Sequence, residues 1–491
     1  MEFKTKLDLE KKHDVYKERI KTWKFLEMAY EGGPDFLNEV ITRNSRESWG
    51  NYNERLNDAI CYDYSQSIID LFNFYLTEKS VDRKFKKLDD DPLFKMFLKN
   101  VDLNGTNYTV FVNDIQKAAS VTGSVGMLID KPRSVYKTTA DHIKFGIYPY
   151  CAVYTLPNVY DWEITIDRLT GKPVLSFLKL SEKDDTYYIW YRTHWERWDA
   201  SQNNTVAMID DGENPLDEIP FMWVQNIKSI ISPLHGKSDI AQIAYIDGSI
   251  ARNVSVGDEV IKFAGFPLMR LPREAPGEDD GTGAEQEVGV RSVLDFDPEF
   301  GEQGKPDWLE SAVLEPIKAT LDWTDRKVDE IFRIAHLSGV HGQRKSNNEV
   351  SSGLALRYEF QQLTSVLAKK AENITETELN TLRLWCKWQK QDALFEQVEI
   401  KRDKNYNIED LSVSIENSLK TMDRVRSPRF KQLAEKKLAN QELPNMSDDD
   451  RVKVESEIET MDPVEPAGFG GSTGIKGANP NGLKNDASGS K

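Results

Sequence analysis

Residues 351–388 read SSGLALRYEFQQLTSVLAKKAENITETELNTLRLWCKW, and this stretch decides much of the fold. Its apolar residues recur at steps of three or four, which places them on one stripe of a single helix: Leu356, Phe360, Leu363, Leu367, Ala371 and Ile374. Ser351 or Ser352 can cap the N-terminus of this helix. We therefore predict one helix over residues 351–390, longer than most helices of globular domains and able to bridge two subdomains.

Two further helices are predicted before this one. The first covers residues 238–265, where Ser238 offers an N-cap and apolar residues follow near the helical period, and the second covers residues 312–337. Between them, residues 266–311 are rich in Gly, Pro and acids and include one strand-like run, Val288–Leu294. A polar loop separates the second helix from the long one. The predicted order is helix, exposed acidic excursion, helix, polar loop and long helix.

The flanking segments predict a mixed architecture. Residues 11–77 show helical spacing broken near Pro34 and predict two or three helices, whereas residues 104–224 contain β-branched and aromatic runs of an antiparallel sheet. These runs are Tyr108–Val112, Trp162–Ile166, Val174–Leu178 and Tyr187–Tyr191, with Asp167–Gly171 as a hairpin connection. Helices are also expected near residues 427–440 and 448–461, and a disordered tail from residue 463. The predicted fold class is α+β, mainly helical.

Composition and charge limit the classes of function that the chain can have. A chain of 491 residues with 39% hydrophobic residues can build more than one core. The formal net charge of −17 argues against a sequence-reading DNA-binding protein, because Lys and Arg supply most of the affinity for duplex DNA. An acidic surface would still suit a passage through which DNA slides, and it would equally keep a large protein soluble. No apolar run approaches the ~20 residues of a membrane helix, so no membrane partner is expected.

Motifs for catalysis are incomplete. The run His235–Ser238 ends like a phosphate-binding loop, but Ile231 stands where that loop requires a glycine. The histidines form no HExxH pair, and Cys61, Cys151 and Cys386 are far apart and are expected to be small buried hydrophobes. Runs of adjacent acids are more typical of solvated loops than of Mg²⁺ sites. We therefore expect no catalytic residue, no metal and no cofactor.

The segment order and several short motifs resemble the portal proteins of tailed bacteriophages, of the long-tailed type. The motifs are Glu218–Phe221 followed by Asn226 and Ser232–Leu234 before the first helix, Leu314–Pro316 opening the second, and Ser352–Leu356 opening the long one. The similarity covers residues 23–388. It implies a wing (1–237), a first stem helix (238–265), a clip (266–311), a second stem helix (312–337), a tunnel loop (338–350), a long wing helix (351–390), a C-terminal wing or helical crown (391–462) and the tail (463–491).

This resemblance implies a homo-oligomeric ring, usually of twelve subunits, at one capsid vertex of the virion. Its channel would pass double-stranded DNA during packaging and ejection, after assembly in the host cytoplasm. The implied partners are the terminase large subunit, head–tail adaptor proteins, and the major capsid and scaffolding proteins. In the tunnel loop, His341, Arg344 and Lys345 are predicted to touch DNA phosphates without sequence specificity. The clip acids predicted to dock basic partners are Glu278, Asp279, Asp280, Glu285 and Glu287.

Two other classes of function stay open at this point. A phage DNA-processing enzyme, either a nuclease or a packaging ATPase, would require the phosphate loop or a spaced carboxylate–histidine cluster, and a hydrolysis assay separates it from a portal. A capsid or tail adaptor without a channel is generally shorter and lacks two helices joined by an inserted clip. Imaging of the purified protein for rings with a central hole separates that class.

Overall fold

The computed structural model describes residues 5–78, 80–133, 136, 138–183, 185–201, 206–230, 234–265, 268–272, 293–296, 307–309, 314–337, 353–404, 406, 427–442 and 448–460. The chain divides into two compact units, residues 1–407 and residues 408–491. The first unit contains every described strand and the described helices up to residue 395, and the second contains two described helices. The architecture is α+β and mainly helical, as the sequence predicts.

The described α-helices occur in both units of the chain. In chain order they are α1 (Lys6–Glu10), α2 (Asp14–Glu31), α3 (Gly33–Val40), α4 (Trp49–Asp58), α5 (Tyr64–Thr77), α6 (Pro92–Lys99), α7 (Tyr108–Thr122), α8 (Thr139–Phe145), α9 (Ile243–Gly265), α10 (Leu314–Ile334), α11 (Gly353–Trp388), α12 (Asp392–Phe395), α13 (Pro428–Glu442) and α14 (Asp448–Thr460).

The described strands all belong to the first unit. They are β1 (Asp82–Lys84), β2 (Ser124–Asp130), β3 (Tyr150–Tyr154), β4 (Val159–Ile166), β5 (Pro173–Ser181), β6 (Thr186–Tyr191), β7 (His194–Asp199), β8 (Ala207–Glu213), β9 (Phe221–Gln225), β10 (Leu268–Pro272), β11 (Val293–Phe296), β12 (Asp307–Leu309) and β13 (Glu399–Lys401).

The strands form four small sheets. Strands β4 to β8 make an antiparallel meander in chain order, and β3, β2 and β9 make an antiparallel sheet with β2 in the centre. Strand β1 pairs with β13, and β10 lies between a parallel β11 and an antiparallel β12. The predicted hairpin is confirmed, because Ile166 pairs with Pro173 across the turn. The excursion between the two predicted stem helices therefore contains three paired strands, and the single predicted run falls partly on β11.

One predicted strand is wrong. The run Tyr108–Val112 opens helix α7, because the Asn107 side chain accepts a hydrogen bond from the Val110 backbone N–H at 3.0 Å and caps the helix. Phe111, Ile115 and Ala119 are buried, at steps of four. The N-cap and the helical apolar stripe, which packs on β2, therefore outweigh the β-branched and aromatic composition of this run.

Other predicted boundaries also move. Residues 11–77 hold four helices, α2 to α5, rather than two or three, because Gly32 and Gly33 adopt positive φ values and split the first segment at Pro34. Helix α9 begins at Ile243 rather than near Ser238, since the Ser238 hydroxyl accepts from the Ile240 N–H in a turn that precedes the helix. Helices α10, α11, α13 and α14 confirm four predicted helices within a few residues.

The main hydrophobic core surrounds the long helix. Helix α11 has 36 residues, which corresponds to about 54 Å. Its predicted stripe is buried at Leu363, Leu367, Ala371 and Ile374, and the stripe continues through Leu382 and Trp385. This core also includes side chains from α2, α3, α5, α7, α9 and β2. These elements of the first unit therefore pack around the long helix.

Candidate functional site

Helices α9 and α10 form an antiparallel pair. The Lys327 ammonium donates to the Ser249 hydroxyl at 2.7 Å, and a Cβ added at Gly257 would lie 3.7 Å from the Thr320 methyl group. Residue numbers therefore rise along α9 as they fall along α10. The segment between the two helices contains β10, β11 and β12, so both helices connect to the same small sheet.

One half of this pair is anchored in the core of the first unit. Four apolar side chains on the first turns of α9 are buried, and so are Ile331 near the end of α10 and Ala335 just after it; the α9 residues are Ile243, Ala244, Ile250 and Ala251. The buried Asp247 carboxylate accepts hydrogen bonds from the Ser65 backbone N–H at 2.9 Å and from its hydroxyl at 2.8 Å. Burial raises the pKa of Asp247. This half of the pair is held by packing and by buried polar contacts.

The same half of α9 packs closely against α3. A Cβ added at Gly248 would lie 2.7 Å from Val40 Cγ1, so the glycine permits an approach that a larger residue would prevent. Arg252 Nε donates to the Val40 carbonyl at 3.0 Å, and Arg55 donates to the Ser255 hydroxyl at 3.1 Å. The buried base of α9 therefore extends to Ser255.

The other half of the pair exposes apolar side chains. Val256 and Ile261 on α9 are 45% and 52% exposed, and Leu321 and Trp323 on α10 are 60% and 54% exposed. Residues 321 and 323 emerge roughly 200° apart around the helix axis, because each residue of an α-helix turns the chain by about 100°. The apolar surface therefore occurs on nearly opposite sides of α10. Each of these two sides is therefore a candidate contact surface.

The predicted site residues of the clip and of the tunnel loop lie outside the described residues. These are Glu278, Asp279, Asp280, Glu285 and Glu287, together with His341, Arg344 and Lys345. The structure tests neither set, and both remain predictions. It describes the helices that flank them on either side.

A buried polar junction at the entry to α9 was not predicted from the sequence. The Asn226 carboxamide oxygen accepts from Gln116 at 2.9 Å and from Ser120 at 3.1 Å, while its NH₂ group donates to the Lys237 carbonyl and to Asp239. Its backbone groups bond to Gly123 and to the Asn373 side chain. Asn226 is fully buried and all its polar groups are paired. It joins α7, α11 and the segment before α9.

Two glycines allow the chain segments at this junction to approach each other closely. A Cβ at Gly123 would lie 2.4 Å from the Gly236 carbonyl oxygen, and a Cβ at Gly236 would lie 2.4 Å from the Gly123 carbonyl oxygen. Gly123 also has a φ of +92°, which L side chains rarely adopt. The run His235–Ser238 is thus a turn that packs against the end of α7.

Helix α11 carries charged side chains that face inward. Lys370 and Asp239 form an ion pair in which both side chains are nearly inaccessible, and burial lowers the pKa of Lys370. Glu378 pairs with Arg402 and with Arg83, whose Nε lies 2.7 Å from the carboxylate. Burial lowers the pKa of Arg402 to about 10. These pairs connect α11 to the segment before α9, to β1 and to the residue that follows β13.

Over the described residues, no helix combines the length and apolar character that a bilayer crossing requires. Within the same part of the chain, no group of three or more His, Cys, Asp or Glu side chains is placed to hold a metal ion. Cys151 and Cys386 are buried, as predicted, whereas Cys61 is half-buried.

Comparison with known proteins gives weak similarities. No protein-family model matches the sequence, and no curated protein matches it either. A chain of the virion of a native gene transfer agent particle has 11% identity and a TM-score of 0.44, over 84% of this chain and 93% of that one. Chains from the neck of the empty particle, computed with C6 symmetry, and of the native particle, computed with C12 symmetry, have 10% identity each. Their TM-scores are 0.43 and 0.41, over 76% of this chain and 90% and 89% of theirs. Similarities at these levels do not identify a family.

Proposed function

We propose that the chain is a structural subunit of a tailed-phage head and neck, and specifically its portal protein. Copies would form a ring, of twelve subunits, around a channel for double-stranded DNA at one vertex of the virion. On this proposal the chain performs no catalysis of its own. It acts as a passage and as a docking platform for the terminase and for head–tail completion proteins.

The observation that carries the proposal is the division of the α9–α10 pair. The half that contains Ile250 and Ile331 is buried in the subunit core, and the half that contains Leu321 and Trp323 exposes apolar surface. A ring with head-to-tail contacts needs two different faces on each subunit, one for each neighbour. The roughly opposite directions of residues 321 and 323 on α10 meet that requirement. Side-by-side packing of such pairs would enclose an axial hole.

Assembly tests this proposal directly. We expect the purified wild-type chain to form rings with a central hole in negative-stain images, with a matching mass by mass photometry. Trp323→Glu should leave monomers or small oligomers, because it places a charge in the apolar contact. The matched control is Leu169→Glu, since Leu169 is 96% exposed in the β4–β5 turn. A wild-type chain that stays monomeric at high concentration, or rings unaffected by Trp323→Glu, would refute the proposed interface.

The channel role concerns the predicted tunnel loop. We expect the pair of substitutions Arg344→Ala and Lys345→Ala to reduce the DNA packaged or retained per head, because each removes a cation that can contact a phosphate. Lys401→Ala removes a cation that is 69% exposed outside that loop, and it should leave packaging unchanged. Equal packaging by the loop variant and wild type would remove any role for these cations.

The docking role concerns the predicted clip acids. Replacing Glu278, Asp279 and Asp280 by the corresponding amides should weaken binding of the terminase and the tail adaptor, and the loss should shrink as salt rises. Binding that is unchanged at low salt would contradict the role of these acids. A deletion of residues 276–288 provides the more severe form of the same test.

A further inference from the structure

The side of α10 that faces away from α9 carries this inference. Two contacts mark the opposite side, which faces α9. A Cβ at Gly257 of α9 would lie 3.7 Å from the Thr320 methyl group, and Lys327 donates to the Ser249 hydroxyl of α9 at 2.7 Å. Thr320 and Lys327 share one side of α10, because seven residues complete about two turns. Both are half-buried, and the direction opposite to them is the far side of the helix.

Asp322 lies on the far side of α10. Each residue turns an α-helix by about 100°, so residues 321, 322 and 323 emerge at about 100°, 200° and 300° from Thr320. Asp322 therefore points away from α9, halfway between the exposed apolar sides at Leu321 and Trp323. The charged side chains between residues 318 and 329 that lie within about 60° of this direction are all exposed. They are Lys318, Asp322, Asp325, Arg326 and Asp329.

Ring geometry gives these directions an inward and an outward sense. When the two apolar sides of α10 meet the two neighbouring subunits, the far side and the α9 side point along the radius of the ring. The far side of α9 is covered by α4 of the same subunit, since Arg55 donates to the Ser255 hydroxyl at 3.1 Å and Lys262 pairs with Asp58. Space in a ring increases with distance from the axis. The helices that pack on α9 therefore lie outside, and α10 lies inside.

We propose that α10 lines the axial channel and turns the face centred on Asp322 toward the DNA, an inference that rests on the ring proposed above. Three acids and two bases share this face between residues 318 and 329, so their charges nearly cancel. Affinity for duplex DNA comes chiefly from cations that neutralise phosphates, and this face has no excess of them. The wall therefore holds DNA weakly, and the duplex can slide past it without sequence preference.

Gold labels on single cysteines locate the two sides of the helix pair in images of rings of the full chain. The labels are attached in a Cys61→Ser background, because Cys61 is half-buried whereas the other two cysteines are buried. We expect gold on Asp322→Cys to lie in the central hole, and gold on Asn57→Cys of α4 to lie outside the density that borders the hole. Both positions are exposed, so both variants should fold. Absence of rings would contradict the ring itself, whereas rings with the Asp322→Cys label at the outer edge would overturn only this inference.

Charge reversal tests the contact with DNA. In rings that carry Asp322→Lys and Asp325→Lys, cations exceed acids on the channel face, so affinity for a short linear duplex should rise by about tenfold or more at low salt and depend more steeply on salt. A covalently closed circle of the same length cannot enter the channel and should bind as weakly as it does to wild type. The control, Glu163→Lys with Glu213→Lys, reverses two exposed acids of β4 and β8 and should not favour the linear form. Unchanged affinity for the linear duplex, or an equal gain for the circle, would overturn the proposal.

Discussion

Removal of the buried ammonium at Lys370 should destabilise the first unit strongly. The Lys370 side chain is fully buried, and its partner Asp239 is 3% exposed. In Lys370→Met the aliphatic chain is preserved, but the Asp239 carboxylate remains buried with no counter-charge. Breaking a buried pair by removing one partner costs about 3–5 kcal/mol, because the charge that remains has lost both water and its partner. We therefore expect the free energy of unfolding to fall by that amount.

A matched control exists on the same helix. Glu376 of α11 pairs with Lys228, and both side chains are more than half exposed. Glu376→Gln should change the free energy of unfolding by at most about 1 kcal/mol, because water screens and replaces the pair. A second comparison is the double variant Lys370→Met with Asp239→Asn, which leaves no unpaired charge. It should recover most of the loss, since the Asn side chain can still accept from Asn226.

The assay is equilibrium urea unfolding followed by tryptophan fluorescence. The stability change is read from the shift of the midpoint, provided that the variants share one slope with wild type. Trp385 lies fully buried on α11, the same helix as Lys370, and contributes to this signal. If the urea midpoint of Lys370→Met lies as close to the wild-type midpoint as that of Glu376→Gln does, the reasoning is refuted. Burial of the ion pair would then have no effect on its contribution to stability.

Three further outcomes follow from the same structure. Gly123→Ala should abolish soluble folding, because its Cβ would meet a backbone oxygen 2.4 Å away, whereas Gly171→Ala, which also has positive φ but open space, should cost about 1 kcal/mol in a urea midpoint comparison. Burial lowers the pKa of His235 to about 4, so the unfolded state binds a proton at a higher pH than the folded state does. The contribution of neutral His235 to stability should be complete above pH 6.5, and the free energy of unfolding should fall by up to about 3 kcal/mol as the pH drops toward 4. In His235→Phe this part of the pH slope should be absent. Glu378→Gln should lower the free energy of unfolding by about 3–5 kcal/mol, since two buried guanidinium groups lose their counter-charge, while Glu372→Gln at an exposed pair should leave the midpoint unchanged.

The predictable parts of the fold are those encoded by local periodicity. The stripe Leu363, Leu367, Ala371 and Ile374 predicts α11 because each residue lies within one or two turns of the next. At Tyr108–Val112 the local signal was ambiguous, since a β-branched and aromatic run fits a strand and a buried helix equally well. Asn107 supplied the deciding signal, as an N-cap directly before the run. An N-cap at this position predicts the helix that the structure has.

The polar junction could not be derived in the same way. The contact of Asn226 with Gln116 joins residues 110 apart in sequence, and the Lys370–Asp239 pair joins residues 131 apart. Such contacts depend on the final packing of α7, α11 and the entry to α9, which no local pattern specifies. Asn226 is among the motif residues that resemble portal proteins, but no local pattern explains an amide at that position. The structure supplies the reason: the amide satisfies both donors and acceptors at once.

The junction and the anchored half of α9 should favour the proposed assembly by lowering its entropic cost. Each side chain or segment that becomes ordered on binding costs free energy, so a surface that is already rigid binds more tightly than a mobile one. Asn226 and the Lys370–Asp239 pair fix the segment that enters α9, and Asp247 fixes its first turns. The exposed half with Leu321 and Trp323 then projects from a base that is ordered before any neighbour arrives. Substitutions at the base, such as Lys370→Met, should therefore weaken ring formation even though they touch no neighbouring subunit.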